Sequence, residues 1–223
     1  FGKPPKILFF KNHLSNLLKS LKKYKINKRF IKSNILQILN KNLSKKKNYN
    51  HLLRIALNKN TISISLRKRL TPKLNFNLKL VNLKRERPQF KNLKYKKILS
   101  YLSKMDNTKS DIGLVFNKKL FETGTSNLLF VRNDKIFTPK KDYYEGITYK
   151  YFKSKVKKIY KKEIFVKELK KFDEILLIGS GKGVTSVKTI RQIGWKRKNL
   201  KHYNIFLRYY RLAIRNSNLY RFN

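Results

Sequence analysis

The sequence contains no cysteine, one methionine and three histidines, and only 11 of its 223 residues are acidic. Without cysteine the chain has no disulfide bond, no thiolate metal ligand and no cysteine nucleophile. The histidines, His13, His51 and His202, lack the spacing of metal ligands, so no metal site is predicted. No apolar run approaches the roughly 20 residues that a membrane-spanning helix requires, and no membrane partner is expected.

The shortage of acids leaves a very large positive charge. The chain has 57 Lys and Arg, a formal charge of +46 and a pI near 10.6. Repulsion on that scale opposes compaction, so a polyanion is the expected partner, and nucleic acid phosphates suit it without any reading of bases. Coding bias toward AT-rich codons is the alternative explanation, but it accounts for the lysines better than for the missing acids.

Short runs of consecutive basic residues are the predicted contacts with RNA phosphates. These residues are Lys22, Lys23, Lys45, Lys46, Lys47, Arg67, Lys68, Arg69, Lys196, Arg197 and Lys198. The alternative is that each run is only a solvated surface. Contacts to phosphate carry no sequence information, so no sequence specificity is predicted.

Hydrophobic periodicity predicts a small α+β domain at the start of the chain. Apolar residues at helical spacing predict helices over residues 10–21 and 30–43. Alternating apolar residues then predict a meander of three strands near 53–57, 62–66 and 74–80. The basic segment KRERPQ is interpreted as a linker, which gives domains 1–83 and 84–223.

The second domain is predicted to be larger and rich in strands. A hairpin is expected to turn at Asn133-Asp134, because both residue types tolerate left-handed backbone. Thr148 is expected to cap a helix that continues to Tyr160, and a closing helix is expected over residues 199–215.

Two glycine-containing turns and one carboxylate are candidate site residues. The turn Gly-Ser-Gly-Lys-Gly at 179–183 follows a buried strand, where glycine lets backbone amides approach an anion closely. It lacks the spacing of a Walker loop, and a tightly packed turn is the alternative. Gly-Ile-Thr at 146–148 offers a second group of amides at a helix start. Glu122 is a lone carboxylate between apolar strands.

These stretches stand in the order and spacing of the motifs of one enzyme family. Glu122 is followed five residues later by Asn127 and an apolar strand, and then by Thr-Pro at 138–139. Gly-Ile-Thr at 146–148 and an acid-led strand that ends in the turn at 179–183 complete the pattern. The chain resembles the class IV, or fold-type IV, pyridoxal-phosphate aminotransferases, which include branched-chain aminotransferase and aminodeoxychorismate lyase.

The resemblance implies a two-domain α+β fold, with a small α+β domain, a larger barrel-like domain and the cofactor between them. It assigns Glu122 to the pyridine nitrogen of pyridoxal phosphate and Asn127 to the same cofactor site. The amides of Ile147 and Thr148 and the hydroxyl of Ser180 would hold the phosphate, and Lys94 would be the Schiff-base lysine. A homodimer is expected if the family's enzyme assembly is kept.

Three departures from the family pattern argue against catalysis. Asn16 and Tyr149 stand where the family has arginines, and Lys97 stands where the lyases have asparagine. Losing an arginine partner of the phosphate removes a charge-assisted bond of about 1.5–3 kcal/mol. Pyridoxal phosphate is therefore expected only if the ancestral site is still competent.

The charge and the departures together favour a non-catalytic function. We expect a structural protein that binds ribosomal RNA and neighbouring ribosomal proteins, in a mitochondrion or another organelle. The start at Phe1 rather than at methionine suggests a processed or partial chain. The alternatives are an active pyridoxal-phosphate aminotransferase or aminodeoxychorismate lyase, and an RNA-binding protein outside the ribosome.

Overall fold

The computed structural model describes residues 1–26 and 29–220. It divides into a small unit, Phe1–Arg69 with Arg211–Asn223, and a large unit, Leu70–Tyr210. The expected boundary at residues 83 and 84 differs from this division, because the strand Phe76–Asn82 pairs inside the sheet of the large unit. In the described part of the chain, no helix is both long and apolar enough to cross a membrane.

The small unit contains two helices and one hairpin. The elements are α1 (Phe10–Lys23), α2 (Ile31–Asn42), β1 (His51–Leu57) and β2 (Ile62–Lys68). Their shared core is made of the apolar faces that the periodicity predicts, with Ile35 and Leu39 almost fully buried. The two predicted helices and the first two predicted strands are therefore confirmed.

The large unit contains nine strands, two complete helices and most of a third helix, whose last five residues, 211–215, belong to the small unit. Its elements are β3 (Phe76–Asn82), α3 (Lys96–Leu102), β4 (Ser110–Phe116), β5 (Lys119–Thr123), β6 (Asn127–Arg132), β7 (Lys135–Pro139), α4 (Ile147–Lys153), β8 (Ile159–Lys162), β9 (Glu174–Gly179), β10 (Gly183–Ile190), β11 (Trp195–Lys196) and α5 (Lys201–Arg215). The strand order is β5-β4-β3-β10-β9-β6-β7-β8, with β11 beside β10.

Strand β10 joins the two parts of this sheet. Its first half pairs antiparallel with β9, and its second half pairs in parallel with β3 after a shift in register between Val187 and Thr189. β3 does not continue the predicted meander with β2, because it pairs in parallel with β4 and its Phe76 and Leu78 are buried in the core of the large unit. The prediction of a three-stranded meander is therefore wrong in its third strand.

The sheet curls until its outer segments approach each other. The residues after β8 reach β5, where the Leu120 amide donates to the Ile164 carbonyl at 2.8 Å and the Val166 amide donates to the Lys118 carbonyl at 2.9 Å. Phe130, Phe172 and other apolar side chains fill the concave face. The α+β fold with a small hairpin sheet and a curled, barrel-like sheet is confirmed.

Two further predictions can be compared with the large unit. The β6–β7 hairpin turns at Asn133 and Asp134, whose φ angles of 49° and 57° are left-handed as expected. The predicted helix from Thr148 to Tyr160 is wrong at both ends. It begins after Gly146 and stops at Lys153, because the chain beyond it enters β8.

Candidate functional site

Glu122 lies on β5, where one carboxylate oxygen accepts a hydrogen bond and the other, Oε1, accepts none from the described residues. Its side chain is 4% exposed, and Oε1 lies 2.9 Å from Nε of Arg85 in an ion pair. Oε2 accepts a hydrogen bond from the backbone N–H of Tyr144 at 3.4 Å. A second guanidinium nitrogen of Arg85 donates to the Gly124 carbonyl at 3.4 Å. The guanidinium is therefore held by two contacts, one with the carboxylate and one with the backbone.

Burial dominates the acidity of this carboxylate. Burial raises the pKa of Glu122 to about 7, and the positive charge of Arg85 and the Tyr144 hydrogen bond oppose that rise. A carboxyl group with such a pKa is only partly ionised at neutral pH. Its charge there depends on the arginine beside it.

Lys91 brings a second cation to the same place. The residue as a whole is exposed, but its ammonium nitrogen lies 5.1 Å from the centre of the Tyr144 ring. Burial of that nitrogen lowers the pKa of Lys91, as does the charge of Arg85, while Glu122 acts in the opposite direction. A lysine with a lowered pKa has more of the neutral amine that nucleophilic chemistry requires.

Lys94, the predicted Schiff-base lysine, lies in a different setting. Its ammonium group is exposed and pairs with the Glu86 carboxylate at 2.5 Å. Among the groups that act on the pKa of Glu122, Lys91 is present and Lys94 is not. Lys91 and Glu122 both contact Tyr144, whereas Glu86 holds the Lys94 side chain at the surface.

Asn127 holds the loop that leads into α4. Its side-chain oxygen accepts from the Gly146 N–H at 3.0 Å, and its side-chain nitrogen donates to the Tyr144 carbonyl at 2.5 Å. A Cβ atom on Gly146 would lie 2.8 Å from that oxygen, closer than side-chain carbons approach. Asn127 was expected at the cofactor, and here it fixes the backbone beside Glu122.

The predicted phosphate-binding residues come together at the start of α4. The hydroxyl oxygens of Thr148 and Ser180 are 3.3 Å apart, although the two residues come from a helix and from the turn after β9. Ile147 and Thr148 are buried in the first turn of the helix. Tyr149, which replaces the family's arginine, is buried with its ring packed against Tyr143 and supplies no charge.

A buried pair that sequence reasoning missed fixes the glycine turn. Asp111 on β4 is fully buried and accepts from the Lys182 ammonium at 2.7 Å and from the hydroxyls of Thr123 and Thr125 at 3.0 and 2.6 Å. Lys182 also lies 5.0 Å from the centre of the Phe76 ring. Two features of the sequence could have indicated this pair: Lys182 lies inside a glycine turn, and Asp111 is one of few acids in the chain.

Pyridoxal phosphate, which the motifs imply, fits one end of this pocket. The hydroxyls of Thr148 and Ser180 and the amides at the start of α4 suit a phosphate group. The ring end does not fit, because Glu122 would have to hold the ring nitrogen and is already paired with Arg85. The residues as they stand do not fit the whole cofactor, and no reaction step through it is derived.

The basic runs before β1 and at the end of β2 meet at one end of the small unit's hairpin. His51 pairs with Lys68 in the strand register, and the Arg69 N–H donates to the Asn50 carbonyl at 3.0 Å. We name the six residues of these runs the hairpin-end cluster. They are Lys45, Lys46, Lys47, Arg67, Lys68 and Arg69.

Aromatic rings support two members of the hairpin-end cluster. The Lys47 ammonium lies 5.9 Å from the centre of the Tyr49 ring, and the Arg69 guanidinium lies 5.2 Å from the centre of the Phe1 ring. Arg69 is half-buried, and the other five members are exposed. Lys22 and Lys23, in the last turn of α1, are exposed as well.

The fourth predicted run, 196–198, is mostly engaged inside the large unit. Arg197 is half-buried and donates to the Ser186 hydroxyl at 3.0 Å, and burial lowers its pKa. Lys198 pairs with Asp173 at 2.7 Å, and Lys196 is exposed. Arg197 is therefore engaged within the large unit, and its contact with RNA stays a prediction.

Ten of the eleven acidic residues pair with a lysine or an arginine inside the large unit, and the eleventh, Glu174, contacts His202. The acids are Glu86, Asp106, Asp111, Glu122, Asp134, Asp142, Glu145, Glu163, Glu168, Asp173 and Glu174. The sequence of the small unit has 22 Lys and Arg and no Asp or Glu. Its positive charge has no carboxylate side chain of its own to balance it.

Comparison with known proteins identifies the family. The model of the family described as Amino-transferase class IV matches residues 2–190, which include all the motif residues above. A putative 4-amino-4-deoxychorismate lyase from Legionella pneumophila is 16% identical, with a TM-score of 0.72, over 94% of this chain and 86% of that chain. No curated protein sequence matches.

Two branched-chain aminotransferases are similar to the same degree. The enzyme from Thermoproteus uzoniensis, solved with norvaline, is 17% identical, with a TM-score of 0.73, over 94% of this chain and 80% of that chain. The enzyme from Thermobaculum terrenum, in its PLP form, is 16% identical, with a TM-score of 0.69, over 93% and 79%. At these identities the structures show a shared fold, and the family match goes further: the chain belongs to the class IV aminotransferase family.

Proposed function

We propose that this member of the family is a structural component of an organellar (mitochondrial) ribosome and that it binds ribosomal RNA without catalysis. The single observation that carries the proposal is the charge of the small unit, with 22 Lys and Arg and no acidic residue. An enzyme that binds small carboxylate substrates reversibly gains nothing from such a charge. Folded RNA supplies phosphates at the density that would balance it.

The hairpin-end cluster is the proposed centre of RNA contact. Five of its six cations are exposed, and two of the six are backed by aromatic rings. A ring that already holds a long basic side chain in place lowers the conformational entropy that the side chain loses when it binds a phosphate. Lys22 and Lys23 add two exposed cations of the same unit.

Salt dependence of RNA binding tests this assignment. Each phosphate contact contributes about 0.9 to the slope of log K against log salt on a duplex. Replacing Lys45, Lys46, Lys47, Arg67 and Lys68 with glutamine should therefore reduce the slope by about 4.5 if all five bind phosphate. Fluorescence anisotropy with a labelled, structured RNA at several salt concentrations measures it.

A matched variant distinguishes RNA binding at the hairpin-end cluster from a general effect of net charge. Five exposed lysines of the large unit provide the same loss of charge when they become glutamine. They are Lys150, Lys153, Lys155, Lys157 and Lys158. The proposal expects the slope to change by less than about 1 in this control. Equal losses in the two variants would contradict a binding surface centred on the hairpin-end cluster.

Sedimentation tests the ribosomal part of the proposal. The protein should travel with organellar ribosomal subunits, in contact with ribosomal RNA and neighbouring ribosomal proteins, and high salt should release it. Free protein at low salt, in the presence of intact ribosomes, would contradict the ribosomal assignment and leave RNA binding to be judged by the anisotropy experiment.

An active pyridoxal-phosphate aminotransferase or lyase is the competing function. The lowered pKa of Lys91 beside Glu122 favours it, because a neutral amine near a buried acid suits cofactor chemistry. A homodimer belongs to this alternative. Purified protein that is yellow, loses its colour with borohydride and turns over amino acids would establish it.

A further inference from the structure

We propose that Arg85 occupies the ring-nitrogen end of the ancestral pocket and, by pairing with Glu122, excludes pyridoxal phosphate. Arg85 lies in the segment interpreted as a linker, three residues before Pro88. The structure instead turns its side chain inward, where the guanidinium is 13% exposed and 2.9 Å from the carboxylate. This inference concerns the cofactor pocket and is independent of RNA binding.

Arg85 is fixed by more than its charge. It contacts the Glu122 carboxylate through Nε and the Gly124 carbonyl through a terminal nitrogen at 3.4 Å. Leu83, two residues earlier, donates its N–H to the Val115 carbonyl at 2.9 Å, which ties the segment to β4. Backbone and side chain together hold the guanidinium in front of the acid.

The pairing places a cation against the acceptor that a pyridine nitrogen needs, because Oε1 of Glu122 makes no hydrogen bond with the described residues and lies 2.9 Å from Nε of Arg85. A protonated ring nitrogen needs the Glu122 carboxylate, and the other oxygen of that group already accepts from the Tyr144 N–H. Displacing Arg85 would leave a largely buried guanidinium without its partner, beside the second cation of Lys91. An unpaired buried charge and a like charge nearby both oppose the exchange.

The rest of the pocket makes this exclusion testable. The Thr148 and Ser180 hydroxyls are in place for a phosphate, and Lys91 offers an amine close to Glu122. If Arg85 is what keeps the cofactor out, an uncharged side chain of similar length should admit it. R85M and R85Q remove the charge, and R85K keeps it.

The experiment adds pyridoxal phosphate to wild type and to each variant and records circular dichroism in the visible absorption band of the cofactor. Only cofactor held in an asymmetric pocket gives this signal, so adducts on surface lysines do not contribute. Borohydride reduction and peptide mapping then compare Lys91 with the exposed Lys150. Fluorescence of the single tryptophan, Trp195, checks that each variant is folded.

R85M or R85Q should show the visible signal and at least about tenfold more labelling of Lys91 than wild type, with Lys150 unchanged. R85K should behave as wild type, and adding E122Q to R85M should reduce the signal. A visible signal from wild type would overturn the proposal. So would folded R85M and R85Q proteins that give no signal, because Arg85 would then not be the barrier.

These outcomes are separate from the test of the proposed function. Arg85 and Lys91 lie in the large unit and outside the hairpin-end cluster. RNA affinity measured on the same proteins should therefore be unchanged within about twofold, since R85M removes one charge of 46.

Discussion

The two units of this molecule handle positive charge in opposite ways. The small unit has 22 basic residues and no acid, whereas the large unit has 35 basic residues and all 11 acids. Ten of those acids pair with a lysine or an arginine, and Asp111, Glu122 and Glu174 are buried. The large unit therefore uses its acids to hold its own structure, and the small unit has no acidic side chain to balance its charge.

The positions of the buried acids support this contrast. Glu174 on β9 accepts the N–H groups of His202 and Tyr203 at 2.7 and 3.0 Å and so caps the start of α5. Asp111 ties the glycine turn to β4, and Glu122 holds Arg85. These acids satisfy particular donors, whereas the small unit packs α1 and α2 on its hairpin through apolar contacts.

The largest effect should come from removing a buried acid of the large unit. D111A leaves the Lys182 ammonium, 8% exposed, without its carboxylate. Breaking a buried ion pair in this way costs about 3–5 kcal/mol of unfolding free energy. Guanidinium denaturation followed by Trp195 fluorescence reports on the large unit, because that residue is its buried tryptophan.

The double variant D111A/K182M is the matched control. Removing both charges should recover part of the lost stability, because the uncompensated ammonium is gone. If D111A and the double variant are equally unstable, the cost comes from the hydrogen bonds of Thr123 and Thr125 rather than from the ion pair.

The next effect is a pH dependence that belongs to the large unit. The pKa of Glu122 is raised to about 7 in the folded protein from an ordinary value of 4.5. The folded state then binds the proton more tightly than the unfolded state, so stability falls as pH rises from 4.5 to 7. The loss should be about 3 kcal/mol at most.

E122Q isolates this effect. The same Trp195 denaturation, repeated from pH 4 to 8, should show a shallower decline in the variant than in wild type, because glutamine does not titrate. Parallel pH profiles of the two proteins would mean that the acid is ionised throughout, and that Arg85 outweighs burial.

The same contrast explains which parts of the fold the sequence predicts. Apolar spacing in α1, α2, β1 and β2 is enough for the small unit, because these elements pack on their neighbours in sequence. It fails for β3, whose partners β4 and β10 lie far along the chain. Alternation shows which face of a strand is buried, but it does not show which strand lies beside it.

The candidate site divides in the same manner. The motif residues Glu122, Asn127, Thr148 and Ser180 could be found from their order, and they do converge. Arg85 could not, because one arginine in a basic, proline-containing segment looks like an exposed linker. Its role depends on a turn of the backbone that hydrophobic periodicity does not predict. The sequence also does not show which of Lys91 and Lys94 turns inward, because lysine is common throughout this chain.

A smaller effect should distinguish the units by their response to salt. Raising the ionic strength from 0.01 to 0.1 M shortens the Debye length from about 30 to about 10 Å and screens repulsion among the small unit's cations. Hydrogen-exchange protection in β1 should then rise by about tenfold, or about 1.4 kcal/mol. Protection in β9 should change less, because screening weakens the large unit's ion pairs as well as its repulsions.

The smallest effect should come from an exposed acid of the large unit. Asp134 pairs with Lys201 at 2.7 Å, yet both side chains are more than half exposed, and such pairs contribute little. D134N also keeps the left-handed turn, because asparagine tolerates φ near the 57° found there. The denaturation midpoint should be unchanged within error. A shift comparable with that of D111A would mean that burial does not decide which acids matter, and the contrast between the two units would then rest on charge alone.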